Sequence, residues 1–222
     1  MPSPVQQILF DADGVLQTWA PGSVAKVRDL PATSAPDLAA SPYVTAHELR
    51  DAFLQAVFAA EKPCAIGAAD FAQQIDLLRQ QWKVRLPLDQ VLKIWEAIVP
   101  IGPMFALIDR LRSLGIRCHL ATNQQAYRAR YMRHTLGYDR RFDSSFYSCD
   151  MSVAKPDPAY FQHIVQTLGV SPSELLFVDD RQDNVAAARS VGLQAVVFDA
   201  REVAAPEVVF MELVGHLIPD AG

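Results

Sequence analysis

Cysteine is scarce in this 222-residue chain: Cys64, Cys118 and Cys149 lie far apart, with no C-x-x-C pair among them. That excludes a disulfide scaffold and removes the usual signature of a zinc or dithiol site, so buried thiols in a reducing compartment are expected. Basic clusters are missing too. With 20 Lys+Arg against 25 Asp+Glu and a formal net charge of −5, there is no cationic footprint for nucleic acid. No apolar run reaches the roughly eighteen residues of a membrane span. The opening segment carries Asp11 and Asp13 in place of a basic leader. A cytoplasmic protein with neither nucleic acid nor membrane as partner is expected. The histidines His47, His119, His134, His163 and His216 show no H-E-x-x-H or paired spacing, and each reads more readily as packing than as a metal ligand. What is present is 50% hydrophobic, too apolar and too weakly charged for disorder. A chain of this length suits one domain with a sizeable insertion, burying roughly 70% of its unfolded surface.

Short apolar runs at Val5–Phe10, Ile116–Ala121, Leu175–Val178 and Ala195–Phe198, and a weaker one at Ser145–Ser148, have the length and composition of buried strands. Helical patterns separate them: Pro103–Leu114, Asp157–Leu168 and Asp183–Val191 each end at a glycine. Strand, helix, glycine, strand is the rhythm of right-handed βαβ units around a parallel sheet. The rhythm breaks between Leu16 and about Pro100. There a Pro/Ala/Ser-rich stretch (20–42) leads into helical segments near 46–60, 68–82 and 88–98, an inserted module whose ends suggest hinges and a lid.

Four places could carry chemistry. Asp11 and Asp13, in Asp11-Ala12-Asp13-Gly14, leave the first strand where open α/β sheets place ligands, although Asp13-Gly14 also suits an Asx turn. Asp179 and Asp180 close the strand LLFV. Helix capping by Asp180 or Asp183 accounts for one acid and not for the pair, and beside the first strand these carboxylates would require protonation or a cation. Oxygen-only ligands point to Mg²⁺. Thr122-Asn123 precedes a helix beginning near Gln124, which suits an anion site or an N-cap. Lys155, in Lys155-Pro156-Asp157-Pro158, is either an ordinary loop lysine or a charge held at one spot by an extended chain. All four fall on one edge of a single parallel sheet.

In this order the motifs resemble those of the haloacid dehalogenase superfamily: ILFDADGVL its first, ATN its second, AKPDPAYF its third and LLFVDDRQDNVAAARSVG its fourth. The match covers residues 5–16 and about 100–198, with the insertion where the family's small helical (C1-type) cap sits. The resemblance implies an α/β fold, a Rossmann-like three-layer sandwich over residues 1–16 and 100–222, with an inserted α-helical cap over 17–99. It implies a Mg²⁺-dependent phosphatase acting on a small phosphorylated metabolite, phosphoglycolate-like or sugar-phosphate-like, as a monomer or homodimer. By the same resemblance Asp11 is the nucleophile, forming an aspartyl-phosphate, and Asp13 protonates the leaving group and later activates water. Asp13 also offers its backbone carbonyl to the metal. Asp180 binds Mg²⁺ directly with Asp179 in support, Thr122 and Asn123 hold phosphoryl oxygens, and Lys155 bridges nucleophile and phosphate. The neighbouring carboxylates are expected to raise the Asp13 pKa toward the working pH.

Asn184 stands where many relatives carry a further acid, and Asp183 is expected to be exposed. Gln17, Thr18 and Trp19 are near enough to line the cavity, whereas Trp82, Trp95 and Tyr43 read as packing, and Gln6, Gln7 and the tail after Pro206 as structural. A 2-haloacid dehalogenase is disfavoured, because dehalogenases of the superfamily lack the second acid and need no metal. A sugar phosphomutase finds no basic cap motif for a second phosphate. A non-catalytic binding protein keeping the fold is the reading from outside enzymology.

Overall fold

The computed structural model describes residues 5–33 and 46–218. In chain order these form β1 (Gln7–Phe10), β2 (Gln17–Trp19), α1 (Ser23–Asp29), α2 (Ala46–Ala65), α3 (Phe71–Gln81), α4 (Leu88–Leu92) and β3 (Ile98–Pro100). There follow α5 (Gly102–Ser113), β4 (Arg117–Thr122), α6 (Ala126–His134), β5 (Ser144–Tyr147), α7 (Ser148–Met151) and α8 (Pro158–Leu168). The chain closes with β6 (Leu175–Asp179), α9 (Gln182–Ser190), β7 (Gln194–Val197) and α10 (Pro206–Val214).

The main sheet runs β5-β4-β1-β6-β7, parallel throughout, with β1 at its centre. Successive side chains of a strand face opposite ways, so each inner strand feeds two cores. Ile8, Phe10, Leu120, Leu176 and Val178 join Met104, Ile108 and Leu111 of α5 and Phe210 and Val214 of α10 on one face. Leu9, Ala121, Leu175 and Phe177 join Phe161 and Ile164 of α8 and Val185 and Ala188 of α9 on the other. This is the three-layer α/β sandwich expected from the sequence. Helix α8 starts and stops as its residues dictate: the Asp157 carboxylate accepts from Ala159 N–H, Pro158 opens the first turn, and Gly169 at φ 65° ends it.

The residues between the first strand and α5 build a core of their own, with Phe53, Val57, Phe71, Ile75, Val91 and Trp95 at its centre. The chain leaves and returns to the sandwich through an antiparallel β2–β3 ribbon, Gln17 opposite Pro100 and Trp19 opposite Ile98. At three residues each, these strands are too short to show a period in the sequence. Within the lead-in read from 20 to 42, residues 23–29 form α1; positions 34–45, including Tyr43, lie outside the described residues. Cys64 and Cys118 are buried free thiols, but Cys149 is partly exposed, because α7 sets it at the surface next to Asp150. Among the described residues no helix is long and apolar enough to cross a membrane.

His119, buried in β4, bonds its Nε2 to Oε1 of Gln7 at 2.8 Å across the sheet, so both are structural. Burial lowers its pKa from 6.5 to about 4; Asp143 opposes that shift, and Arg117 and Arg112 reinforce it. A base held neutral in the fold takes up a proton on unfolding once the pH drops below its unfolded pKa. Stability is therefore full above about 6.5 and declines as the pH falls toward 4. His119→Gln is expected to narrow the wild-type difference in unfolding free energy between pH 7 and pH 4.5 by roughly 2 to 3 kcal/mol. Urea titrations at the two pH values measure it, and an unchanged difference would refute the assignment.

Candidate active site

Phe10 lies opposite both Leu120 and Val178, so the ends of β1, β4 and β6 arrive side by side. Asp11 follows β1, Thr122 ends β4 and Asp179 ends β6, which brings the acid pairs and the Thr-Asn motif to one edge. Lys155 reaches the same spot from the loop before α8. Its Nζ donates to Asp11 Oδ1 at 2.8 Å, Asp179 Oδ2 at 2.6 Å and the Ala121 carbonyl at 2.9 Å. The ammonium side chain is 1% exposed and the Asp179 side chain 0%. All three donors are used, which is the condition for holding such a charge out of water.

The lysine loop is a turn and not the extended segment expected from its prolines. Asp157 N–H closes it on the Ala154 carbonyl at 3.0 Å, and the Lys155–Pro156 peptide is cis. Asn123 fastens it, accepting from Lys155 N–H at 2.9 Å and donating through Nδ2 to the Lys155 carbonyl at 2.8 Å. The Asn123 side chain thus ties down the lysine loop as well as bordering the cavity. Neither Thr122 nor Asn123 caps α6; Gln125 does, its side chain accepting from Arg128 N–H at 3.0 Å.

Asp179 accepts from Arg181 N–H and, with both oxygens, from Asn184 Nδ2, in addition to Lys155. Asp180 is freer, bonded to Arg201 at 2.7 Å on its outer side. Asp183 is exposed as expected, paired with Arg181. Carboxylate oxygens of Asp11, Asp179 and Asp180 all lie within 4.8 Å of one another. Burial is the largest influence on Asp11 and with the Asp179 charge lifts it to about 7 in spite of Lys155. Burial and Asp179 also raise Asp180. Three carboxylates crowded in this way form an all-oxygen donor set of a size that fits a hard divalent cation such as Mg²⁺.

Asp13 departs from the sequence reading. It is outside the carboxylate cluster and bound by Arg128 through Nη1 at 2.5 Å and Nη2 at 2.8 Å, with Gln124 at 2.8 Å and Gln17 at 3.1 Å. Burial would raise its pKa, yet the charge and bonds of Arg128, with those of Gln17 and Gln124, hold it below the usual carboxylate value. The expected upward shift is therefore reversed, because the nearest strong charge is a guanidinium and not another acid.

Asp11, Asp13, Thr122, Asn123, Lys155 and Asp180 line one cavity of about 490 Å³, with Arg181, Asn184 and Lys62. Asp179 lies beneath it. Lys62, from α2, and the Arg128 and Arg201 partners were missed in the sequence, where no spacing marks them. Trp19 touches the site through Arg128, whose guanidinium carbon sits 4.7 Å from its ring centroid. Trp95 is core, donating to Glu61 at 2.6 Å.

A family profile described as haloacid dehalogenase-like hydrolase matches residues 5–192. Among curated proteins, the chain is 33% identical over 106 residues to mouse acyl-CoA dehydrogenase family member 10, a stretch covering 47% of this chain and 10% of that protein. It is 31% identical over 94 residues to the sesquiterpene phosphatase astK of Aspergillus oryzae, covering 42% of this chain and 48% of that one. The matched stretches thus span less than half of either relative. Among solved structures, the HAD family enzyme BT-2542 of Bacteroides thetaiotaomicron superposes with a TM-score of 0.76 at 17% identity, over 94% of this chain and 99% of that one. A complex of the same enzyme with magnesium and inorganic phosphate superposes at 0.72 with 19% identity, over 90% and 98% of the two chains.

Gly14 adopts φ +87°, and a Cβ there would lie 2.5 Å from Asp180 Oδ2, whereas Gly22 at φ +79° has open space around it. Alanine at either position meets the same backbone strain, of order 1 kcal/mol. Gly14→Ala is expected to destabilise by about 1–2 kcal/mol more than Gly22→Ala, since Asp180 must move; denaturant titration of the pair tests it, and equal losses would show that the contact carries no cost.

Proposed function

The chain belongs to the haloacid dehalogenase-like hydrolase family, and within it we propose a Mg²⁺-dependent phosphatase that hydrolyses a small phosphorylated metabolite through an aspartyl-phosphate on Asp11. The observation that carries this reading is Asp11 held by Lys155, with Asp179 and Asp180 within 4.8 Å and a second acid, Asp13, facing the same cavity. Asp13 is also what favours phosphoryl transfer over attack on a halogen-bearing carbon, which has no alkoxide to protonate.

Asp11 Oδ1 is bound to Lys155, which leaves Oδ2 as the attacking oxygen. As Oδ2 bonds to phosphorus, the bond to the leaving oxygen breaks and Asp13 supplies that oxygen with a proton, which its carboxylate must first take up from solvent, against the hold of Arg128, when the negatively charged ester enters beside it. In the second step water attacks phosphorus, Asp13 takes the water's proton, and Asp11 is released as a carboxylate. Lys155 stays beside the phosphoryl group as a fixed charge, Thr122 offers its hydroxyl, and the Asn123 main-chain N–H completes the cradle. Asp11, Asp180 and the Asp13 main-chain carbonyl would hold Mg²⁺, with Asp179 in support through its bonds to Lys155 and Asn184. When bound, the ion screens the phosphate's negative charge from the nucleophile. The helical insertion over residues 17–99 acts as the cap, and Lys62 is its contribution to the cavity, a cation with no carboxylate partner among the described residues.

A panel of phosphate monoesters, including p-nitrophenyl phosphate and phosphoglycolate, assayed with Mg²⁺ and with EDTA tests the proposal. Phosphate release should require the metal and fall by on the order of a thousandfold or more in Asp11→Asn. Full activity in that variant would overturn the reading. Lys62→Ala is expected to raise KM by about 3- to 10-fold on the substrate best hydrolysed, with kcat within about twofold, because it removes uniform binding and no reacting group. A pure kcat loss would instead place Lys62 in the chemical step.

A further inference from the structure

Arg128 is the one buried cation of the site that the mechanism above does not use. Its side chain is 5% exposed. The guanidinium gives two parallel bonds to Asp13 and a third, from Nη1, to Gln124 Oε1 at 3.0 Å, while Gln124 Nε2 itself donates to Asp13. Its Nε has no partner. The insertion grips the same group from the other side: the Trp19 ring lies against the guanidinium, and Glu61 of α2 is near enough for its charge to act on it. Backbone placement is equally firm, since the Gln125 cap accepts from Arg128 N–H itself. The Asp13 side chain remains 34% exposed toward the cavity.

We propose that Arg128 is a positioning residue, which fixes the plane and direction of the Asp13 carboxylate and through which the helical insertion sets the proton-transfer geometry. The proposal rests on the phosphatase reading. A planar fork bound to both oxygens of a carboxylate removes its freedom to rotate, whereas an ammonium holds it only as a point charge. Placement matters because a proton donor must stand within hydrogen-bond reach of the leaving oxygen, and a displacement of about 1 Å costs of order a hundredfold. Trp19 belongs to the β2 strand by which the chain enters the insertion, so any shift of that ribbon moves the platform under Arg128. The insertion then affects the chemical step without touching the phosphoryl group.

This predicts a leaving-group signature that a merely structural arginine would not produce. Departure of a poor leaving group needs the proton, and departure of a good one does not. In Arg128→Lys, which keeps the charge and loses the fork, kcat/KM on phenyl phosphate with Mg²⁺ should fall by about 30-fold or more. On 2,4-dinitrophenyl phosphate kcat/KM, which reports the steps through loss of the leaving group and not the later activation of water by Asp13, should stay within about threefold, with 4-nitrophenyl phosphate between. Trp19→Leu and Gln124→Met should steepen the same dependence by smaller factors, and they decide the matter if thermal melts show that Arg128→Lys is unfolded. Equal loss of kcat/KM across the three esters in the folded variants overturns the proposal while leaving the phosphatase intact. Absence of metal-dependent turnover in the wild type overturns the phosphatase reading itself.

Discussion

The Lys155 ammonium, buried between Asp11 and Asp179, is the interaction on which the rest of the site depends. An ion in this position loses the hydration of bulk water, and it is tolerated only where every donor is met, here by two carboxylates and the Ala121 carbonyl. Those partners come from the ends of three adjacent strands, so their spacing is that of the sheet itself. Removing the lysine would strand two buried acids; removing either acid would unbalance the other two groups. The clamp between Asn123 and the lysine backbone follows from the same need, since a long side chain cannot hold its charge still if the loop beneath it moves.

Asp11 and Asp13 stand two residues apart on one turning segment and experience opposite environments. Asp11 is sealed beside another acid, and burial lifts it to about 7. Asp13 meets a guanidinium and two amides and is held low. The separation is produced by side-chain direction: past Phe10 the chain leaves the sheet plane, with Gly14 in a left-handed conformation, so the second acid swings toward α6 and away from β6.

The main-sheet strands and the four polar positions were legible because each depends on local pattern: a short apolar run, a glycine stop, a polar residue just past a strand. The order of motifs then placed Asp11, Thr122, Lys155 and Asp180 around one cavity, and the register of β1 with β4 and β6 places them there physically. What was not legible depends on contacts remote in sequence. Arg128 meets Asp13 across 115 positions and Arg201 meets Asp180 across 21, and no period in the chain announces either pairing. The Asp13 pKa was misread for that reason: the sequence contains its acidic neighbours and conceals its basic one. The hold of Asn123 on the Lys155 backbone was not legible either, because an amide at a strand end can serve a ligand or a loop, and only the position of that backbone shows the loop contact. The β2–β3 ribbon escaped because three residues cannot display alternation.

Two separate cores follow from the insertion's own aromatic cluster, and their meeting surface runs along α6 and α7. Ser148 donates to the Ala65 carbonyl at 2.5 Å, Gly67 fits against the Cys149 carbonyl with no room for a side chain, and Tyr127 donates to Glu96 at 2.5 Å. Because α6 also carries Arg128, and begins just past Thr122 and Asn123, the helix that receives the insertion is the one that borders the Thr122–Asn123 end of the cavity. A change in how the insertion seats is thus felt by Asp13 through a rigid helix and a two-pronged bond, whereas Lys155, Asp11 and Asp179 are locked into the sheet and do not share that dependence. The fold divides the site into a part set by the sandwich, which suits chemistry common to many substrates, and a part set by the insertion, where one substrate can be favoured over another. Lys62 falls on the second side of that division, and Arg128, carried by α6 of the sandwich, joins the two.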